Sequence, residues 1–224
     1  MLLYSGPLSL FARKVEIALG EKGLEFERVM VPFSQERGYQ PKHPEVARIN
    51  PKAQVPVLID GDLELYDSTL IFEYLEDAYP QPPLYPGPAK DRARCRILEL
   101  IADDVLLPNI RPLMYRSEPP LPDAARRAEH VAAGQAAEAA LCRQYRQLEV
   151  LLGDAEYFCG GFTVADIAVF MSLLFVRRLK GPDLAETPRL DNWFARVGAR
   201  PPASRAAAEI AAADRVLSPA LAEI

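Results

Sequence analysis

Between Tyr79 and Lys90 the chain reads YPQPPLYPGPAK, and no regular helix or strand can run through that stretch. Proline has a fixed φ and no backbone N–H, so it ends a helix and cannot sit in a central strand. Pro80, Pro82, Pro83, Pro86, Gly87 and Pro88 together read as a stiff connector. The expected division is residues 1–80, a linker over 81–89, and residues 90–224. The hydrophobic period differs on the two sides of that linker.

Before it, strand and helix signals alternate. LLYS and FERVMV are short apolar strands. Between them Phe11, Val15, Ala18 and Leu19 recur at helical spacing, and Gly23 ends that run. A short irregular segment follows. VPVLIDGDLELY then reads as a hairpin, with Val55, Val57 and Ile59 on one face and a turn at Asp60-Gly61. In DSTLIFEYLEDAYP the stripe Leu70, Ile71, Tyr74, Leu75 and Ala78 predicts a helix stopped by Pro80. Beyond the linker no strand is expected, and the alanine-rich runs are strong helix formers. The fold class is an α/β N-terminal domain followed by an all-α C-terminal domain.

Composition removes several function classes. The formal net charge of −5 argues against a nucleic-acid binder held by phosphate contacts. No apolar run is long enough to span a bilayer, and MLLYSGPLSL lacks the basic leader of a signal peptide. Cys95, Cys142 and Cys159 are odd in number and far apart, which fits free thiols in a reducing cytoplasm. His43 and His130 have no ligand-spaced partner, so no metal is expected. Gly-rich phosphate loops and the G-x-S-x-G elbow are absent from the sequence.

Three places in the first half carry candidate chemistry. Ser9 stands where a strand becomes a helix: it is either an N-cap or a hydroxyl that donates to an anion at a helix N-terminus. Val55-Pro56 opens the hairpin strand, as an ordinary trans proline or as a cis bond that leaves the Val55 N–H and C=O free for an extended peptide. Asp67-Ser68 starts the next helix. Asp67 is a good N-cap; alternatively, Ser68 and the first amides hold a carboxylate while Asp67 holds an ammonium.

LYSGPLSLFARKVEIALGEKGLEFE, HPEVARINPKAQVPVLIDGDLELYDSTLIFEYLEDAYP and FTVADIAVF together resemble the cytosolic glutathione S-transferases over nearly the whole chain. That resemblance implies a thioredoxin-like first domain, a helical second domain, a homodimer, glutathione as co-substrate and a small hydrophobic electrophile. In the serine-type pattern S-x-F-x-x-[RK]-V, Ser9, Phe11, Lys14 and Val15 match, which makes Ser9 the hydroxyl that meets the glutathione sulfur. Val55-Pro56 matches the dipeptide that pairs with the cysteinyl unit. Asp67-Ser68 matches the Glu-Ser pair that holds the γ-glutamyl end. Lys42 and Gln54 are the candidates for the glycine carboxylate. Leu10, Phe11, Asp104, Arg111, Met114 and Tyr115 are expected around the electrophile, on a helix bent by Pro108. Tyr4 lies one residue away from the position of the tyrosine-type enzymes and reads either as core or as a support behind the site residues. The SLF turn does not match the Ser-Ser-Cys run of the maleylacetoacetate isomerase branch. Thr163 and Asp166 match the folding motif of the second domain, a capping box flanked by Phe162 and Ile167. The chain also resembles the stringent starvation proteins at SGP, EKG and PPL. They share the fold and act as non-catalytic partners of the transcription machinery, and they lack a serine at the position of Ser9.

Overall fold

The computed structural model describes residues 1–119 and 121–222. Strand β1 (Leu2–Ser5) leads through a turn into α1 (Leu10–Glu21) and returns as β2 (Glu27–Met30), parallel to β1. β3 (Val57–Asp60) pairs antiparallel with β1, and β4 (Leu63–Tyr66) with β3, so the sheet order is β2-β1-β3-β4. The period of two sets its faces. Leu3 opposite Leu58 faces the main core with Val15 of α1. Tyr4 opposite Val57 faces the other side, in a small cluster with Val31 and Val46. Tyr4 is therefore core, as its position in the strand implies.

Two local expectations shift. The segment read as irregular contains a six-residue helix, α2 (Pro44–Ile49), which supplies Val46 to that second cluster. It is under two turns long, too short for a 3.6-residue period to register. The hairpin turn is Gly61-Asp62, one residue later than expected, with Gly61 at φ 62°. Positive φ at the first loop position is what a type II′ hairpin turn requires.

Helix α3 (Ser68–Ala78) ends the first half. The connector is then held from below by the end of α1. Lys22 Nζ donates to Glu76 at 2.9 Å, to the Tyr79 carbonyl at 2.8 Å and to the Pro82 carbonyl at 3.0 Å.

In the second half α4 (Ala89–Leu100) runs into a π-helical turn over Ile101–Leu106, then α5 (Leu107–Ile110) and a 3-10 turn over Arg111–Arg116. Pro108 was expected to bend this helix. It has no N–H to return to the carbonyl of Asp104, and the backbone answers by changing its turn type on either side. α6 (Ala124–Leu152), α7 (Val164–Arg178), α8 (Pro188–Gly198) and α9 (Pro201–Leu217) complete the order. Residues Glu223 and Ile224, placed in the helical region by the sequence, lie outside the described residues.

α7 is the hub. Twelve of its fifteen residues are buried, and α1 packs directly on it. Leu3 and Val15 share one continuous cluster with Phe170 and Trp193, so the two halves have a common core. α7 opens on the expected capping box. The Asp166 carboxylate accepts the Thr163 N–H at 2.9 Å and the Thr163 hydroxyl at 3.2 Å, while Phe162 and Ile167 pack on the core. No described helix is long and apolar enough to cross a membrane.

Candidate functional site

A cleft of about 420 Å³ lies where the first half faces α4 and the π turn. Its first wall is built by the loop into β3 and by the start of α3. Asn50 organises that loop: its Nδ2 donates to the Gln54 carbonyl at 2.6 Å, and its Oδ1 accepts from the Lys52 N–H at 2.9 Å. Val55-Pro56 follows with a cis peptide bond, and neither backbone group of Val55 has a backbone partner among the described residues. An extended ligand can therefore pair there as an added strand.

The end of this wall is the N-terminus of α3. Asp67 Oδ1 accepts the Thr69 N–H at 3.0 Å, and Asp67 itself sits at φ 78°. That is the left-handed half of φ space, where a non-glycine residue is uncommon and costs about 1–3 kcal/mol. Such strain concentrates where a side chain must be aimed. Ser68 is buried just inside the cleft. An unpaired helix start favours a carboxylate, and the second oxygen of Asp67 is left for a cation.

The opposite wall carries Arg96, Glu99, Leu100, Asp103, Asp104 and Arg111. Beneath it lies Lys14, fully buried, with Nζ at 2.7 and 2.8 Å from the two Asp103 oxygens and 3.9 Å from Glu99. Glu99 also accepts from the Thr69 hydroxyl at 2.8 Å, while its second oxygen has no partner among the described residues. Burial raises the pKa of both Glu99 and Asp103, and the neighbouring ammonium of Lys14 opposes the rise.

Two family matches cover most of the chain: the glutathione S-transferase N-terminal domain over residues 3–83 and the C-terminal domain over residues 107–201. The chain belongs to the glutathione S-transferase family.

Among relatives of this transferase-family chain, a stringent starvation protein A homolog of Coxiella burnetii is 40% identical over 44% of this chain and 44% of its own length. A probable maleylacetoacetate isomerase of Vibrio cholerae is 40% identical over 51% of this chain and 54% of its own length. The chain thus spans about half the length of the curated relatives it matches. Among solved structures, a glutathione S-transferase from Methylobacterium radiotolerans in complex with glutathione sulfonate is 28% identical, with a TM-score of 0.70 over 92% of this chain and 93% of that one. The SLF turn had set the isomerase branch apart, yet a relative named for it matches as well as the others do. The turn motif alone does not separate the branches.

Against this glutathione S-transferase frame, Gln54, Val55, Pro56, Asp67 and Ser68 come together on one wall, with Phe11, Asp104 and Arg111 around the same cleft. Five expected residues do not line it, among them Met114, which is half-buried against the main core. Lys42 stands apart before α2, and Lys52 occupies the cleft instead. Ser9 is 8% exposed and caps α1, its Oγ accepting the Ala12 N–H at 3.2 Å. Leu10 is buried in the core. Tyr115 packs on α6, with a ring carbon 3.0 Å from where a Cβ of Gly134 would stand. The turn-type changes around Pro108 rephase the helix, which puts Asp104 and Arg111 toward the cleft and Tyr115 away from it. The sequence reading missed Lys52, Arg96, Glu99 and Asp103. Lys14 was visible as a motif position, and its burial was not.

Proposed function

We propose that the chain is a glutathione transferase that binds glutathione along the first wall and stabilises its thiol as thiolate for attack on an electrophile. The observation that carries this reading is the unpaired Val55 backbone beside the Asp67-Ser68 helix start in one cleft. Those groups match a γ-linked tripeptide. The Val55 N–H and C=O pair with the cysteinyl unit, the first amides of α3 and Ser68 take the γ-glutamyl carboxylate, Asp67 takes its ammonium, and Lys52 and Gln54 serve the glycine carboxylate.

A free thiol of pKa near 8.5 is only about 3% thiolate at pH 7, and lowering that pKa by two units needs about 2.7 kcal/mol. Ser9 is the source on this chain. Its oxygen accepts the Ala12 amide, and its hydrogen has no acceptor among the described residues, so it is free to donate to sulfur at the start of α1. Ser5 cannot replace it, because its hydroxyl is committed to Glu16 at 2.5 Å. The protein works without a metal, as a homodimer in the cytoplasm. Its three cysteines stand free, and Leu63 of β4, Leu70 of α3 and Ile97 of α4 are exposed apolar groups for a second copy to cover.

A second reading has one observation in its favour. Ser9 caps its helix and does not line the cleft, as suits a non-catalytic regulator of the stringent starvation type. Calorimetric titration with glutathione, followed by a conjugation assay, separates the two. Binding with turnover sustains the transferase. Absence of binding favours the regulator, and binding without turnover favours a glutathione or ligand carrier.

A further inference from the structure

The cleft holds more charge than glutathione uses, and the surplus is on the wall facing it. Of the charged groups there, Arg96 is paired with Glu73 at 2.9 Å and Asp103 with Lys14 at 2.7 Å. Glu99 is bound to Thr69. That leaves Arg111 and Asp104, which are exposed and farther apart than an ion pair allows. Among the described residues Arg111 has no carboxylate partner, neighbouring arginines being paired as at Arg116–Glu138. Glutathione's own charges are met across the cleft by Asp67, the α3 amides and Lys52, so Arg111 has no role in holding it.

The apolar surface of the electrophile side is small. Leu100 and Phe11 line the cleft, while Leu10 and Tyr115 do not. A wholly apolar molecule there would cover charged groups without pairing them, which is unfavourable. A guanidinium stays charged at any working pH, and its planar fork fits a carboxylate.

We propose that the electrophile is an organic acid whose carboxylate pairs with Arg111 and whose apolar body lies on Phe11 and Leu100. This deepens the transferase reading and rests on it. With an aryl chloride as probe, the thiolate sulfur forms the new C–S bond and chloride leaves with the C–Cl electron pair. The thiol proton has already passed to solvent.

The test compares a chlorodinitrobenzoate, its chlorine para to the carboxylate, with its methyl ester, using the full chain and glutathione. The readout is the acid-to-ester ratio of kcat/KM, divided by the same ratio without enzyme. The wild type should favour the acid about ten-fold or more, the usual scale for one charge-assisted contact. Arg111→Gln should remove that preference, and Arg111→Lys should restore part of it. A corrected ratio near one, or one that Arg111→Gln leaves unchanged, overturns the proposal. If neither compound is conjugated, the transferase reading fails, and calorimetry decides the acid site separately. Dinitrobenzoate and its methyl ester are titrated with S-methylglutathione present. Tighter binding of the acid that disappears in Arg111→Gln sustains the site, and equal affinities overturn it.

Discussion

Asp67 shows how one residue serves structure and ligand together. At φ 78° it sits where glycine would be at ease, yet its carboxylate both caps Thr69 and faces the cleft. Asn tolerates positive φ and caps a helix as well as Asp does, but it carries no charge. Asp67→Asn should therefore keep its melting temperature within a few degrees while glutathione affinity falls about ten-fold, through loss of a charge-assisted bond. Unchanged affinity in a calorimetric titration would remove the ammonium from this carboxylate. Ser9 poses the opposite problem, since its capping role is plain and its chemistry is not. Ser9→Ala should cost about 1 kcal/mol as a lost cap. If the hydroxyl also donates to sulfur, conjugation should fall about ten-fold or more, and the thiolate absorbance of bound glutathione should vanish at neutral pH. A variant that loses only stability would make Ser9 a cap and nothing else.

At the scale of elements, signals written within a few residues were legible and those written across the chain were not. Both ends of the capping box lie in the stretch Thr163 to Asp166, so it could be read directly. The Trp193 indole N–H, donated to the same carboxylate at 2.9 Å, comes from α8, and the Phe158 N–H at 3.2 Å from the preceding loop. No spacing rule announces either bond. Their presence raises the expected cost of Asp166→Ala above that of a cap. Each stranded buried donor is worth about 1–3 kcal/mol, so the variant should lose roughly 3 kcal/mol or more. Urea unfolding would measure this, with a glutathione titration on the folded fraction expected to be near normal. A stable variant without turnover would move Asp166 into the chemistry. The same distinction explains the helices. α1, α3 and the hairpin carry a clear period and local stop signals, whereas α2 is too short to show one. The π turn before Pro108 depends on how the backbone relieves a missing hydrogen bond, and that slip decided which side chains reached the cleft.

Across the whole molecule the two halves meet at buried charge. Lys14 of α1 is tied to Asp103 of the π turn, and Thr69 of α3 to Glu99 of α4. The sequence displayed Lys14 as one letter of a motif, and only the packing of α1 against the second half shows what it neutralises. One ammonium faces two carboxylates here, and burial raises both acids from their ordinary values of 3.8 and 4.5. A raised carboxyl pKa means that folding favours the protonated form. Its contribution to stability is fully present below the unfolded value and is lost as pH rises through the folded value. Glu99→Gln keeps an acceptor for Thr69 and removes that titration, while Asp103 still pairs with Lys14. The difference in unfolding free energy, wild type minus variant, should therefore fall as pH rises above about 4.5. Urea midpoints of both proteins at pH 5 and pH 8 would show it, with Glu99→Gln gaining on the wild type at the higher pH. If the wild type gains instead, Lys14 outweighs burial and holds Glu99 ionised, and Lys14 with Glu99 is a stabilising ion pair.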